Sequence, residues 1–182
     1  MKVQTIFEVV KDKLYVIQWD TKQVDELIDL FGDESIEHIG QWEDVESLRN
    51  FFNEFGQDLR SDFWGITRTR DAVKRTIREA TILKQRLVDF AESKNEDNLD
   101  ELFTPLNNGI EQHEYQEHKA YGPEHKSWLR VYAIRISENR YVITGGAIKL
   151  TPTMNTRIHL QQELYKLHNA LQYLIENNFI EI

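Results

Sequence analysis

The sequence predicts an α+β fold, and three observations predict it. β-rich runs open the chain and return between Trp128 and Thr151, each folding back on itself across a short polar turn. Between Gly65 and Pro105 there is no glycine or proline, and apolar residues recur there at helical spacing. A closing segment from about 155 to 177 gathers its leucines into one stripe.

Val3 to Val10 and Leu14 to Trp19 are rich in β-branched and aromatic residues, and Lys11-Asp12-Lys13 between them makes a hairpin. Asp20 or Thr21 can cap a helix with Val24, Leu27, Ile28 and Phe31 on one face, ended by Gly32. A second short helix spans about 43 to 54 and buries Val45, Leu48, Phe51 and Phe52. One long helix occupies about 70 to 94, presenting Val73, Ile77, Ala80, Leu83, Leu87 and Ala91. Asn98 then caps a short turn holding Leu99, Leu102 and Phe103, and Pro105 forces an exit.

The polar stretch 107–126, with Gly109, Gly122 and Pro123, reads as the longest loop. From Trp128 a strand sends Trp128, Arg130, Tyr132 and Ile134 to one side, and Leu129, Val131, Ala133 and Arg135 to the other. Ser137-Glu138-Asn139 turns the chain, Arg140 to Thr144 returns, and Gly145-Gly146 allows a bulge before Ala147 to Thr151, where Lys149 and Thr151 point together. In the closing helix Leu160, Leu164, Leu167, Leu171, Leu174 and Ile175 face the core with His168 at their border, while His159 and Lys166 point nearly opposite.

Composition bounds the function classes. The chain has 182 residues with 40% hydrophobic, enough to bury about 70% of its unfolded surface without a staple. It has no cysteine, which removes thiol chemistry and thiolate zinc. The opening residues alternate apolar with polar, and no segment approaches the apolar length of a membrane span, so the expectation is a cytoplasmic protein with no membrane partner. The net charge of −9 divides unevenly: 119–168 carry eight basic against three acidic residues, whereas 1–118 carry 14 basic against 26 acidic. A basic stretch in an acidic protein can hold phosphate locally, or can be a solvated face.

His113, His118 and His125 lie among Glu111, Glu114, Glu117 and Glu124 in the 107–126 stretch. On a helix, His113 with Glu117 and Glu114 with His118 would share a face and could hold zinc. No HExxH or comparable spacing is present, and the reading is no metal and no cofactor.

A long helix, Leu102-Phe103-Thr104-Pro105-Leu106, Trp128-Leu129-Arg130-Val131-Tyr132, Arg140-Tyr141-Val142-Ile143-Thr144-Gly145-Gly146 and Ala147-Ile148-Lys149-Leu150-Thr151 before a closing helix together resemble the RelE/HigB-like toxin superfamily. That family shows a pre-strand proline-leucine, a strand with leucine-arginine, and a hydrophobic strand leading into a lysine-threonine element. The resemblance covers about 70–182. It implies a twisted antiparallel sheet flanked by helices, with 66–182 the toxin-like core and 1–65 an acidic N-terminal extension of a hairpin and two short helices that packs on the core sheet or completes it, the hairpin then contributing the first strand. It also implies RNA, often on the ribosome, as the target, metal-independent cleavage where activity is kept, and a cognate antitoxin as partner.

Carried over residue by residue, Arg130 matches the strand arginine, and Lys149 with Thr151 matches the lysine-threonine element. Arg130, Lys149 and His159 are the candidate catalytic groups; Tyr132, Arg135, Thr151, Arg157 and Lys166 are the candidate RNA contacts. Cleavage by a neighbouring 2′-hydroxyl needs a base, an acid and cations around the phosphate, and these residue types supply them. Each also has a plain role: Arg130 can pair with a carboxylate of the acidic half, Tyr132 and Trp128 can pack on a helix, and His159 can face solvent.

The chain departs from the family in its acidity and length, and the acidic portion is expected to cover the basic sheet as an antitoxin would. The leading expectation is a toxin-like protein of a type II toxin-antitoxin lineage serving as a protein-interaction or RNA-binding module. The alternatives are an active endoribonuclease and a small-molecule enzyme using the histidine-rich loop.

Overall fold

The computed structural model describes residues 1–20, 42–66, 68–93, 98–106, 117–123 and 126–180. The helix expected after Thr21, and most of the histidine-rich stretch including His113 and His125, lie outside them. The fold is α+β: the described residues form six strands in one mixed sheet, and five helices.

β1 (Lys2–Val10) and β2 (Leu14–Asp20) form the opening hairpin. Asp12 takes a left-handed turn at φ 59°, a conformation that aspartate tolerates, and its N–H donates to the Glu8 carboxylate at 2.8 Å. Asp44 caps α1 (Val45–Glu54) by accepting from the Ser47 N–H at 2.6 Å. Leu48 and Phe52 of α1 are buried, whereas Val45, expected in the core, is exposed. After the single turn α2 (Gly56–Leu59), α3 (Thr69–Glu92) buries five of its six expected positions, with Ile77 packed at the margin. Asn98 caps α4 (Leu99–Leu102), as its amide-accepting side chain suggested.

β3 (Thr104–Pro105) and β4 (Glu117–Tyr121) pair antiparallel, so a strand stands within the stretch read as loop. His118 and Ala120 are buried between half-buried or exposed Glu117, Lys119 and Tyr121, which is the alternation of a strand in unusually polar residues. β5 (Leu129–Ser137) and β6 (Arg140–Ile148) form the second hairpin, turning at Asn139 with φ 52°. A bulge falls where expected: Tyr132 pairs with Gly145 but Ala133 with Ile143. α5 (Ile158–Glu176) begins three residues later than expected.

The strand order is β1-β2-β6-β5-β4-β3. β2 joins β6 in parallel, from Leu14 opposite Tyr141 to Val16 opposite Ile143, so the sheet is not wholly antiparallel. The reason is connectivity. β5 already occupies one edge of β6, and the long chain between β2 and β6 can return in either direction, which a tight hairpin cannot do.

Two cores flank the sheet. Leu129, Val131 and Ala133 of β5 pack with Leu48, Phe52, Leu83 and Leu87 on one face, and Tyr132 and Ile134 pack with Leu160, Leu167 and Leu174 of α5 on the other. The expected alternation therefore holds within β5 but not at Trp128. That indole precedes the strand and enters the first core, donating to Thr76 Oγ1 at 3.0 Å and lying 4.3 Å beneath the Arg75 guanidinium. Beside it the buried Glu79 carboxylate accepts from Ser127 and Arg75, tying α3 to the start of β5. Residues 1–65 supply Leu14, Leu48 and Phe52 to the first core and Ile17 and Trp19 to the second. The described part of 1–65 therefore shares both cores with 66–182.

Candidate nucleic-acid interface

Pairing of β4 with β5 sets Lys119 opposite Tyr132 and Tyr121 opposite Arg130, and pairing of β5 with β6 sets Arg130 opposite Ala147 and Tyr132 opposite Gly145. Cross-strand partners share a face, so Lys119, Tyr121, Arg130 and Tyr132 all stand on the α5 side of the sheet. α5 packs on β6, β5 and β1. Toward β4 the face is less covered among the described residues, and Tyr121 is exposed there.

Three cations meet here. The Arg130 guanidinium lies 4.0 Å from the Tyr121 ring centre, and Lys119 Nζ lies 5.9 Å from it on its own strand. Arg130 Nη1 donates to the carbonyls of Ser127 and Leu129 at 2.8 and 2.7 Å. Lys119 Nζ donates to the Leu106 carbonyl at 3.0 Å, and Lys149 Nζ to those of Thr151 and Pro152 at 2.8 and 2.7 Å. Carbonyls orient these groups without neutralising them, and among the described residues none of the three has a carboxylate within ion-pair distance. All three are half-buried. Burial pulls the Lys149 ammonium below its ordinary range, and the charges of Arg130 and Lys119 lower it further. Burial likewise lowers Arg130.

The other expected contacts go elsewhere. Arg135 makes a two-pronged ion pair with Asp100 at 2.8 and 3.1 Å, and Asp100 also accepts from the Tyr141 hydroxyl and the Asn139 N–H at 2.8 and 2.9 Å. That carboxylate pins α4 to the β5–β6 turn, so Arg135 is a structural clip. Arg157 is held by Asp58 through two bonds of 2.8 and 2.7 Å, so here, as at Arg135, a carboxylate of the acidic 1–118 portion neutralises an expected contact. Thr151 Oγ1 donates to the Thr153 carbonyl at 2.8 Å, and its own carbonyl receives Lys149.

His159 stands between Phe51 and Phe55, with ring centres 5.3 and 4.9 Å away and Nε2 3.1 Å from the Ile148 carbonyl. Burial lowers its pKa, and the charges that reach it are Glu54, Arg157 and Asp58, none of them a member of the sheet cluster. His168, expected at the border of the core, is exposed.

Lys166, expected to flank a site, is 1% exposed and bonded at 2.9 Å to Glu163, which is 0% exposed. Burial raises the Glu163 carboxyl to about 7 against the pull of Lys166, and burial lowers Lys166. Gly145 makes room for this pair, since a Cβ there would stand 2.2 Å from Glu163 Oε2. Tyr132 is fully buried beside it, and its hydroxyl has no hydrogen-bond partner among the described residues. Burial raises the Tyr132 pKa, helped by the Glu163 charge and opposed by Arg130, so charges of both the buried pair and the cation cluster reach the phenol.

His118 packs edge-on to Tyr141 at 5.5 Å in the first core, while Glu117 points to the opposite face. His118 stands in a strand, and its expected partner Glu114 lies outside the described residues. Among the described residues, no three histidine or carboxylate side chains group as metal donors, and no helix is long and apolar enough to cross a membrane.

The sequence reading missed Lys119 and Tyr121 as members of the site, because a segment read as loop has no face. Compared with protein-family models, with curated proteins and with solved structures, the chain gives no match.

Proposed function

We propose that this is a toxin-like protein of RelE/HigB-like lineage whose sheet binds RNA through Lys119, Arg130 and Lys149. The observation that carries the reading is the cluster itself: three half-buried cations on neighbouring strands, oriented by carbonyls and with no carboxylate within ion-pair distance among the described residues. Bringing like charges together in a partly desolvated place is unfavourable unless an anion joins them. The exposed Tyr121 ring beside them offers a stacking surface, which favours single-stranded RNA over a featureless polyanion.

Binding is favoured over cleavage because the candidate acid-base group is set apart. His159 is packed between phenylalanines with its ring nitrogen on a backbone carbonyl. The reading predicts salt-dependent binding of single-stranded RNA, with a log–log slope of about −2 when the three cations together neutralise about three phosphate charges along the strand and at its end. Lys149→Met should reduce the slope by about 0.7. Fluorescence anisotropy across a salt series measures both. A salt-independent isotherm, or the same slope in Lys149→Met and Arg130→Met, refutes the proposal. RNA cleavage that is abolished by Arg130→Met would replace it with the endoribonuclease reading.

A further inference from the structure

Resting on the RNA-binding reading, we infer that the Lys119–Arg130–Lys149 cluster takes the terminal phosphate of an RNA strand in preference to a phosphodiester within it. The first argument is charge. A phosphodiester carries one negative charge and two free oxygens, whereas a terminal phosphomonoester carries close to two charges at pH 7 and three free oxygens. Three cations sharing one Tyr121-flanked patch match the second better.

The second argument is the Tyr132 hydroxyl. It is fully buried, stands on the same face as Arg130 and directly opposite Lys119, and has no hydrogen-bond partner among the described residues. A buried hydroxyl without a partner is unfavourable, and it adds a fourth, neutral donor for the third oxygen. The third argument is access. Sites that track a running backbone are open grooves lined by solvated side chains, but Lys119, Arg130 and Lys149 are all half-buried, and α5 packs on β6 at one side of them. A strand end can enter such a place without having to leave on the other side.

The test uses the full chain and three hexauridylates of identical sequence, bearing a 5′-phosphate, a 3′-phosphate or hydroxyls at both ends, at one salt concentration. One phosphorylated form should bind about tenfold more tightly than the hydroxyl-ended form, as expected for one added charge-assisted contact. Which one it is identifies the end. Its advantage should grow from pH 5 to 7 as the phosphate loses its second proton, and inorganic phosphate should compete it away. Lys149→Met should bring the ratio to within about twofold, while Lys149→Arg, which keeps the charge, should retain it.

Equal binding of all three oligonucleotides, still weakened by Lys149→Met, overturns end recognition and leaves the RNA-binding reading standing. Absence of binding by all three overturns both.

Discussion

Lys166→Met removes one partner of an ion pair that is enclosed between α5 and the sheet. Both side chains are at most 1% exposed, so water screens neither, and Glu163 keeps one bond of 2.9 Å to Lys166 with its second oxygen against Gly145. Breaking such a pair from one side leaves an uncompensated carboxylate and should destabilise the protein by about 4 kcal/mol at pH 8. The loss should be smaller at pH 5. Holding the Glu163 carboxyl neutral up to about 7, instead of the ordinary 4.5, is worth about 3 kcal/mol. Because the folded pKa is raised, that contribution is complete below 4.5 and vanishes as pH rises through about 7. Without Lys166 the carboxyl moves higher still, so the variant should regain stability on acidification across this window. Adding Glu163→Leu to Lys166→Met should return stability to within about 1 kcal/mol of the parent, since an apolar pair needs no desolvated charge. Urea unfolding followed by tryptophan fluorescence at pH 5 and pH 8 measures all three. A single variant whose loss is independent of pH, or a double variant no more stable than the single, refutes the reasoning.

Four further outcomes follow from the packing. Asp100→Ala should release Arg135, Tyr141 and the Asn139 N–H together and lower stability by about 1–2 kcal/mol, a figure reduced for the partial exposure of the pair and read as a fall in melting temperature. Burial pushes the Asp100 carboxyl up, but the bonds from Arg135, Tyr141 and Asn139 together hold it below 3.8. Its contribution should therefore persist above that pH and disappear as acid titrates the folded protein, which an acid-unfolding curve of Asp100→Asn would lack. Gly145→Ala should destabilise by about 2 kcal/mol, because its Cβ would meet Glu163 Oε2 at 2.2 Å and Lys166 Nζ at 3.1 Å; equal urea midpoints would contradict this. Tyr132→Phe should raise stability by about 1 kcal/mol by removing a buried hydroxyl that bonds to nothing among the described residues, and a lower urea midpoint would reveal a partner.

Periodicity made the long helix, the closing helix and both hairpins legible, because Leu83, Leu87, Val131 and Leu167 repeat with the period of their element. It did not reveal β4, where the alternating buried positions are histidine and alanine and so carry no hydropathy contrast. The parallel joint of β2 with β6 was equally hidden, since it is a tertiary choice made between segments far apart in the chain. At the site, Arg130 and Lys149 were readable as strand cations. Arg135, Arg157 and Lys166 look the same in sequence, yet Asp100, Asp58 and Glu163 claim them. Those partners come from other elements, or lie one helical turn away on α5, and only packing decides which cation is neutralised.

The seam between β2 and β6 also constrains how the molecule is made. Strands from opposite ends of the chain meet there, so the first hairpin leaves the ribosome long before its neighbour exists. Until Tyr141 to Ile143 emerge, β2 presents an unsatisfied edge and the hydrophobic side chains of Leu14, Ile17 and Trp19 have no sheet to join. Such distant pairing means high contact order and slow closure, and during translation the exposed hairpin is the segment that a chaperone would need to shield.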